Sequence, residues 1–465
     1  MKDPTQQPHD WKHEEYRIRV VVTFKPSTEL PYEDGVEEYF KNDQSEYWQA
    51  LTEEYPGITL KRIYTAVTPD RIRALIEEAK ERNASYQPHE RHLLTSFFVE
   101  LPPGKNPENL AKALAAWEIV KTAHFDPPGR EPQVNSPGNP LSVLQGYLDA
   151  APKGIDARYA WGLPGGDGKG QHLIDVERGW YLNHMDLPTR HSPLKDALIL
   201  GSILPGYPSV HGTSVLGIIC GEDNTTGILG IAHHSNVRVA SYYDNNYSSN
   251  IPNAVLAAID KLSPGGVLLL EVQLLYVPGS TLYWPYMPVE VTQTTFDVIE
   301  LAIAQDITVI EAAGNGGHDL DTYEDLSGIK LLQQGADGYR DSGAILVGAA
   351  SSENRFRLPI SNYGSRIDCY AWGENVVTSA SVAPGGEYID FFGGTSAAAA
   401  IIAGAALVVQ GIAVQHSGKY LKPAKLRDML SDPATGTPFT EHPSLPNQHI
   451  GVMPDLNKII ITHFP

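Results

Sequence analysis

Cysteine is almost missing from this chain. Cys220 and Cys369 are the only two in 465 residues, too few for a disulfide framework, so a packed core has to hold the fold. Both stand in apolar runs, GIICG and RIDCYAW, which predicts buried free thiols. Charge is also sparse, and it is lopsided. Charged residues make up 19% of the chain, and the acidic excess leaves a formal net charge of −20. A surface of that sign repels phosphate backbones and anionic lipid, which argues against nucleic-acid or membrane partners. The opening residues, MKDPTQQPHDWKHEEYR, contain no apolar h-region. No secretory signal is therefore expected; the chain reads as cytoplasmic when synthesised, and any export would need a signal-less route. No uninterrupted apolar stretch of membrane-spanning length is expected either. Internal repeats and low-complexity tracts are missing too.

What remains is ordinary globular material, 42% hydrophobic and long enough for two or three domains. After a polar tail at 1–14, residues 15–125 read as a small α/β unit. RIRVVVTF (17–24), SFFVELPPG (96–104) and EIVKTAHF (118–125) look like strands. Helical patterns run over Val36–Tyr55 and Pro69–Asn83, and over NPENLAKALAAW, where Asn106 can cap and Pro107 can open the first turn. Residues 126–143, DPPGREPQVNSPGNPLSV, have the Pro, Gly, Asn and Ser content of a linker or exposed loop. From there to 465, short apolar strands alternate with helices. QHLID (171–175), NVRVASY, GVLLLEVQLL (266–275), ITVIEAAG and AILVGAA are the expected strands. Near-continuous apolarity in GVLLLEVQLL suits a strand covered on both faces. The pattern predicts an α/β fold with a doubly wound, mostly parallel sheet.

Active sites in such sheets lie beyond the carboxyl ends of the strands. Asp175 ends QHLID, after the GGDGKG turn. His211 opens the apolar helix HGTSVLGIICG, followed by the Gly212-Thr213 pair. Ser396 follows two glycines in FFGGTSAAAAIIAG and stands where a helix begins, so free N–H groups and the helix dipole favour negative charge beside it. Each alone has a bland reading as a turn, surface or capping residue. Together they supply what a serine nucleophile needs: an imidazole to take its proton and a carboxylate to fix the imidazole's tautomer.

The order Asp175, His211, Ser396, with HGTSVLG, VIEAAGN and GGTSAAAA between and around them, resembles the subtilase family of serine peptidases over about 145–415. The resemblance implies a subtilisin-like sheet preceded by a small α+β prodomain, and hydrolysis of protein or peptide substrates with no catalytic cofactor. It implies that Asn315 holds the oxyanion together with the backbone N–H of Ser396. Two features depart from the family pattern. Val176-Glu177-Arg178-Gly179 follows Asp175 where Ser or Thr and Gly are usual, and Ala397 and Ala400 replace a Met and a Pro.

The strand GVLLLEVQ would then pair with bound peptide, with Glu271 and Gly314 facing substrate. Glu271 either attracts a basic substrate residue or serves as internal support. Residues 15–125 would be an inhibitory prodomain, 126–143 the linker holding the maturation bond and 144–465 the peptidase domain; a separate binding module is the alternative for the first unit. Calcium is implied near NHMDL and EDNTTGILG, with Asp186 and Asn224 as ligands, although ordinary turns use the same letters. His184 and the His233-His234 pair have no zinc-like spacing. A peptide-binding protein with an inactive cleft is the competing reading of the whole chain.

Overall fold

The computed structural model describes residues 19–83, 86, 93–101, 105–126, 129–130, 145–188, 210–224, 227–243, 248–275, 286–325, 327–380, 387–444 and 446–464. The polar tail at 1–14 and most of the 126–143 linker lie outside them.

The first unit contains β1 (Arg19–Phe24), α1 (Asp43–Glu54), β2 (Leu60–Arg62), α2 (Pro69–Arg82), β3 (Ser96–Glu100), α3 (Pro107–Ala115) and β4 (Val120–Asp126). Its strands form one antiparallel sheet in the order β2-β3-β1-β4, and α3 lies against β1 and β4. Asn106 caps α3 by accepting from the N–H groups of Glu108 and Asn109. The helix expected over Val36–Tyr55 is broken: a 3-10 turn at Val36–Tyr39 is followed by a separate α1. Between the two pieces, Phe40 turns inward and stacks edge-on against Trp48 and Trp117.

The second unit is larger. In chain order it holds β5 (Gly129–Arg130), α4 (Ala157–Ala160), β6 (His172–Glu177), α5 (Val210–Cys220), β7 (Asn236–Ser241), α6 (Ile251–Lys261), β8 (Val267–Leu270), β9 (Gln273–Leu274), α7 (Gln293–Ala304), β10 (Thr308–Ala312) and β11 (Ile345–Ala350). It continues through β12 (Cys369–Trp372), β13 (Val376–Ala380), β14 (Glu387–Phe392), α8 (Gly394–Ser417), α9 (Pro423–Ser431), β15 (Thr437–Pro438), β16 (Val452–Met453) and α10 (Leu456–His463). Eight strands form its main sheet in the order β15-β16-β12-β11-β10-β8-β6-β7, and every pairing is parallel except β15 with β16. Long α8 runs along β8 and β10 to β12 and packs on α5, while α6 touches β6 and β7 and α7 touches β10. Every residue of β8, β10 and β11 is buried, as covered faces require.

From β6 the chain steps to β7 on one side, then crosses back to β8 on the other. The sheet's switch point therefore lies between the ends of β6 and β8, where an open α/β sheet forms its crevice.

Two strand expectations change there. The strand expected to stop at Asp175 runs on to Glu177, because β7 keeps pairing with it as far as Glu177 beside Ser241. The run GVLLLEVQLL breaks after Leu270, leaving Glu271 and Val272 between β8 and β9.

The expectation about apolar runs also needs correcting. Helix α8 is long and apolar enough to cross a membrane, but 94% of its apolar window is buried inside the protein, as suits a core helix.

The two units meet at α6. The backbone N–H groups of Thr65 and Ala66 both donate to Asn253 Oδ1 at 2.8 Å, and Arg71 pairs with Asp260 at 2.7 Å. Asn250 donates to the carbonyl of Ile63, and α2 lies beside α7.

Candidate active site

Strand alternation puts Asp175 and Glu177 on the same face of β6, with Glu177 one pleat nearer the strand's end. That pleat decides what each carboxyl meets. Glu177 Oε2 lies 2.6 Å from His211 Nδ1, and its other oxygen accepts the N–H of Arg178. Asp175 stays deeper and accepts Trp180 Nε1–H at 2.7 Å. The carboxylate expected against His211 was Asp175; the structure puts Glu177 there. Both acids and Trp180 are fully buried.

Gly212 makes this approach possible. A Cβ at that position would stand 2.7 Å from Glu177 Cγ, 2.6 Å from Trp180 Cδ1 and 2.5 Å from the carbonyl of Gly179. The glycine after His211 therefore lets the strand end pack close on the helix. On the other side, the Phe392 ring meets the imidazole edge-on, 5.2 Å between centroids.

Ser396 sits in the first turn of α8, where helix N–H groups have no intrahelical acceptor. It is held by its neighbours. The N–H and hydroxyl of Thr395 both donate to Asn315 Oδ1, at 2.9 and 3.1 Å, and Thr395 Oγ1 accepts from Gly314 N–H. Because the Asn315 oxygen is engaged in this way, its amide nitrogen is the end left to donate. That nitrogen is buried and has no hydrogen-bond partner among the described residues. Gln273 secures the same loop by accepting the N–H of Asn315 at 2.8 Å. Gly314 has φ +93, and a Cβ there would meet the carbonyl oxygen of Tyr286 at 2.0 Å, so no other residue fits.

Glu271 points into the same place. Its carboxyl is fully buried, and neither oxygen has a hydrogen-bond partner among the described residues. The register Asp175–Leu269 and Val176–Leu270, continued by Glu271 N–H donating to the Val176 carbonyl, sets Glu271 level with Glu177 on the next strand. Burial first, then the charges of Glu177 and Asp175, push its carboxyl well above the usual range, against the opposing pull of His211 and the Ser396 hydroxyl. Asp175 is raised in the same way, by burial and by Glu177.

Comparison with known proteins identifies the family. The subtilase family matches residues 206–451, more than half of the chain. This chain belongs to the subtilase family of serine peptidases. Subtilisin DY of Bacillus licheniformis is 29% identical over 229 residues, covering 48% of this subtilase and 70% of that protein. Subtilisin NAT of Bacillus subtilis subsp. natto is 26% identical over 280 residues, 57% of this chain and 63% of the relative. Among solved structures, a protease from Pseudoalteromonas arctica PAMC 21717 aligns with TM-score 0.45 at 18% identity, over 66% of this chain and 94% of that one.

The expected calcium ligands lie together in this subtilase but do not form an oxygen shell. Asn224 turns its amide nitrogen to Asp186 Oδ1 at 2.8 Å, and Ile228 N–H takes Asp186 Oδ2 at 2.6 Å. Asp186 also engages Tyr388, whose hydroxyl is pushed up to about 12 by burial and that carboxylate. A hard cation needs oxygens facing inward, so these side chains fit a hydrogen-bonded corner rather than a calcium site. Among the described residues no group of three His, Cys, Asp or Glu is placed to hold a metal.

Sequence reasoning missed Glu177, Gln273 and Thr395 as site residues. The DVE spacing carried the one usable signal, since two acids at period two share a strand face.

Proposed function

We propose that this subtilase is a serine endopeptidase made as an autoinhibited precursor, with Ser396 as nucleophile, His211 as base and Glu177 as the carboxylate that orients the base. The short contact of Glu177 with His211 Nδ1 carries the reading. A carboxylate on Nδ1 fixes the tautomer whose Nε2 can accept the serine proton. Ser396 Oγ then attacks the scissile carbonyl while His211 takes its proton. The oxyanion gathers on Asn315 Nδ2 and the N–H groups opening α8. Collapse expels the amine, which leaves with the proton from His211, and water repeats the sequence in reverse to release the acyl group.

Precursor inhibition draws support from β5. Gly129 and Arg130 pair antiparallel with Leu274 and Gln273 of β9, next to Glu271 and to the Gln273 side chain that secures Asn315. An extended peptide adding to that edge is how a substrate would bind. On this reading the small antiparallel unit is the inhibitory prodomain, and 126–143 contains the bond to be cut.

The purified full chain is incubated, its fragments are sequenced from their N-termini, and a fluorophosphonate is added. Cleavage between the units, an adduct on Ser396 and an uncut Ser396→Ala chain are expected. No adduct after processing by an added protease would instead favour a peptide-binding protein.

A further inference from the structure

Three carboxyls converge beneath one imidazole. Asp175 and Glu177 share one face of β6, where Glu177 meets the imidazole, and Glu271 stands at the end of β8 one strand spacing away, about 4.8 Å. His211 on α5 and Ser396 on α8 complete the ring of groups around Glu271. A fully buried site with one imidazole disfavours three ionised carboxylates. Glu177 is committed to His211 and Asp175 to Trp180. Both Glu271 oxygens are buried without a hydrogen bond of ordinary geometry, as is the Ser396 hydroxyl, yet that hydroxyl lies close enough to act on the Glu271 carboxyl.

We propose that Glu271 is a positioning residue for the nucleophile: as a carboxylic acid it donates its O–H to Ser396 Oγ and leaves the serine proton directed at His211. The inference rests on the peptidase reading. During acylation Ser396 gives its proton to His211 and forms the bond to the carbonyl carbon, while Glu271 keeps its own proton. The ionised form does the reverse: a carboxylate beside Ser396 accepts the serine O–H and diverts it from the base. Burial and the neighbouring carboxylate of Glu177 favour the acid form. It is lost as pH rises through the raised value, which gives the enzyme a high-pH limb belonging to Glu271.

The test uses the matured enzyme, a chromogenic peptide and fluorophosphonate labelling across neutral and alkaline pH. Glu271→Gln, which donates but cannot ionise, is expected to stay within about tenfold of the parent in kcat and to lose the high-pH limb. Glu271→Leu is expected to lose about 10²–10³ in kcat with KM near that of the parent. Thermal unfolding of both variants separates these effects from misfolding. A high-pH limb unchanged in Glu271→Gln, a parental kcat in Glu271→Leu, or a Glu271→Gln as inactive as Ser396→Ala would each overturn the proposal, the last by making Glu271 the base. A parent enzyme that takes no label at any pH removes the peptidase reading and this inference with it.

Discussion

The Trp180 indole donates to Asp175 at 2.7 Å, which commits that carboxyl to the interior while Glu177, two residues on, faces His211. The two acids should therefore separate cleanly on mutation. Glu177→Gln puts a neutral amide against Nδ1 and is expected to lose about 10⁴ in kcat, the usual result of losing tautomer control. Asp175→Asn can still accept from Trp180 and is expected to stay within about tenfold. Peptide hydrolysis by the two matured variants decides; the opposite ranking would return the role to Asp175.

Asp175 should show itself in stability instead. Burial and Glu177 raise its pKa in the folded state, whereas an unfolded aspartate titrates near about 3.9. Above that value the unfolded chain ionises while the folded one keeps its proton, so this group costs the fold more as pH rises toward the raised value. In a Ser396→Ala background, which prevents self-digestion, Asp175→Asn is expected to melt higher than its parent at mildly alkaline pH. The gap should close as pH falls to the ordinary carboxylate range. A gap that stays constant with pH would contradict the assignment.

Asn315→Ala removes the buried amide donor that Thr395 holds in place. Its expected cost is about 10²–10³ in kcat, with KM little changed, since the donor acts on charge that develops only in the transition state. A loss confined to KM would mean that the amide binds substrate instead.

Away from the site, Arg366 is wholly buried, with ion-pair contacts of 2.8 Å to Glu290 and 2.9 Å to Asp368. Replacing it with Met leaves the buried Glu290 without its cation, while Asp368 keeps its pair with Arg427 at 2.7 Å. Denaturant unfolding of Arg366→Met, again in the Ser396→Ala background, is expected to show a loss of about 3–5 kcal/mol. A neutral result would mean that Glu290 takes up a proton at little cost.

The sequence was most legible where a reacting group stands at the mouth of an apolar helix. HGTSVLG and GGTSAAAA announced α5 and α8, and the glycines of AAGNGG marked the loop of Asn315. What stayed hidden was set by distant pairing. Whether β6 ends at Asp175 or Glu177 depends on how far β7 follows it, which no local pattern encodes. Short β2, with Lys61 and Arg62 among its three residues, lacks an apolar signal and forms because β3 pairs with it. Glu271 could be read either as a specificity residue or as internal support, because its burial follows from register and the strand break at Leu270 rather than from a local pattern.

The seam between the small sheet and the large one runs through Asn253, Asn250 and the pair Arg71–Asp260. Of these contacts only the Arg71–Asp260 pair is screened as electrolyte is added, whereas the neutral amide bonds are not. Ionic strength is thus a handle on one corner of the seam, while the buried apolar residues of α2, beside α7, hold the rest.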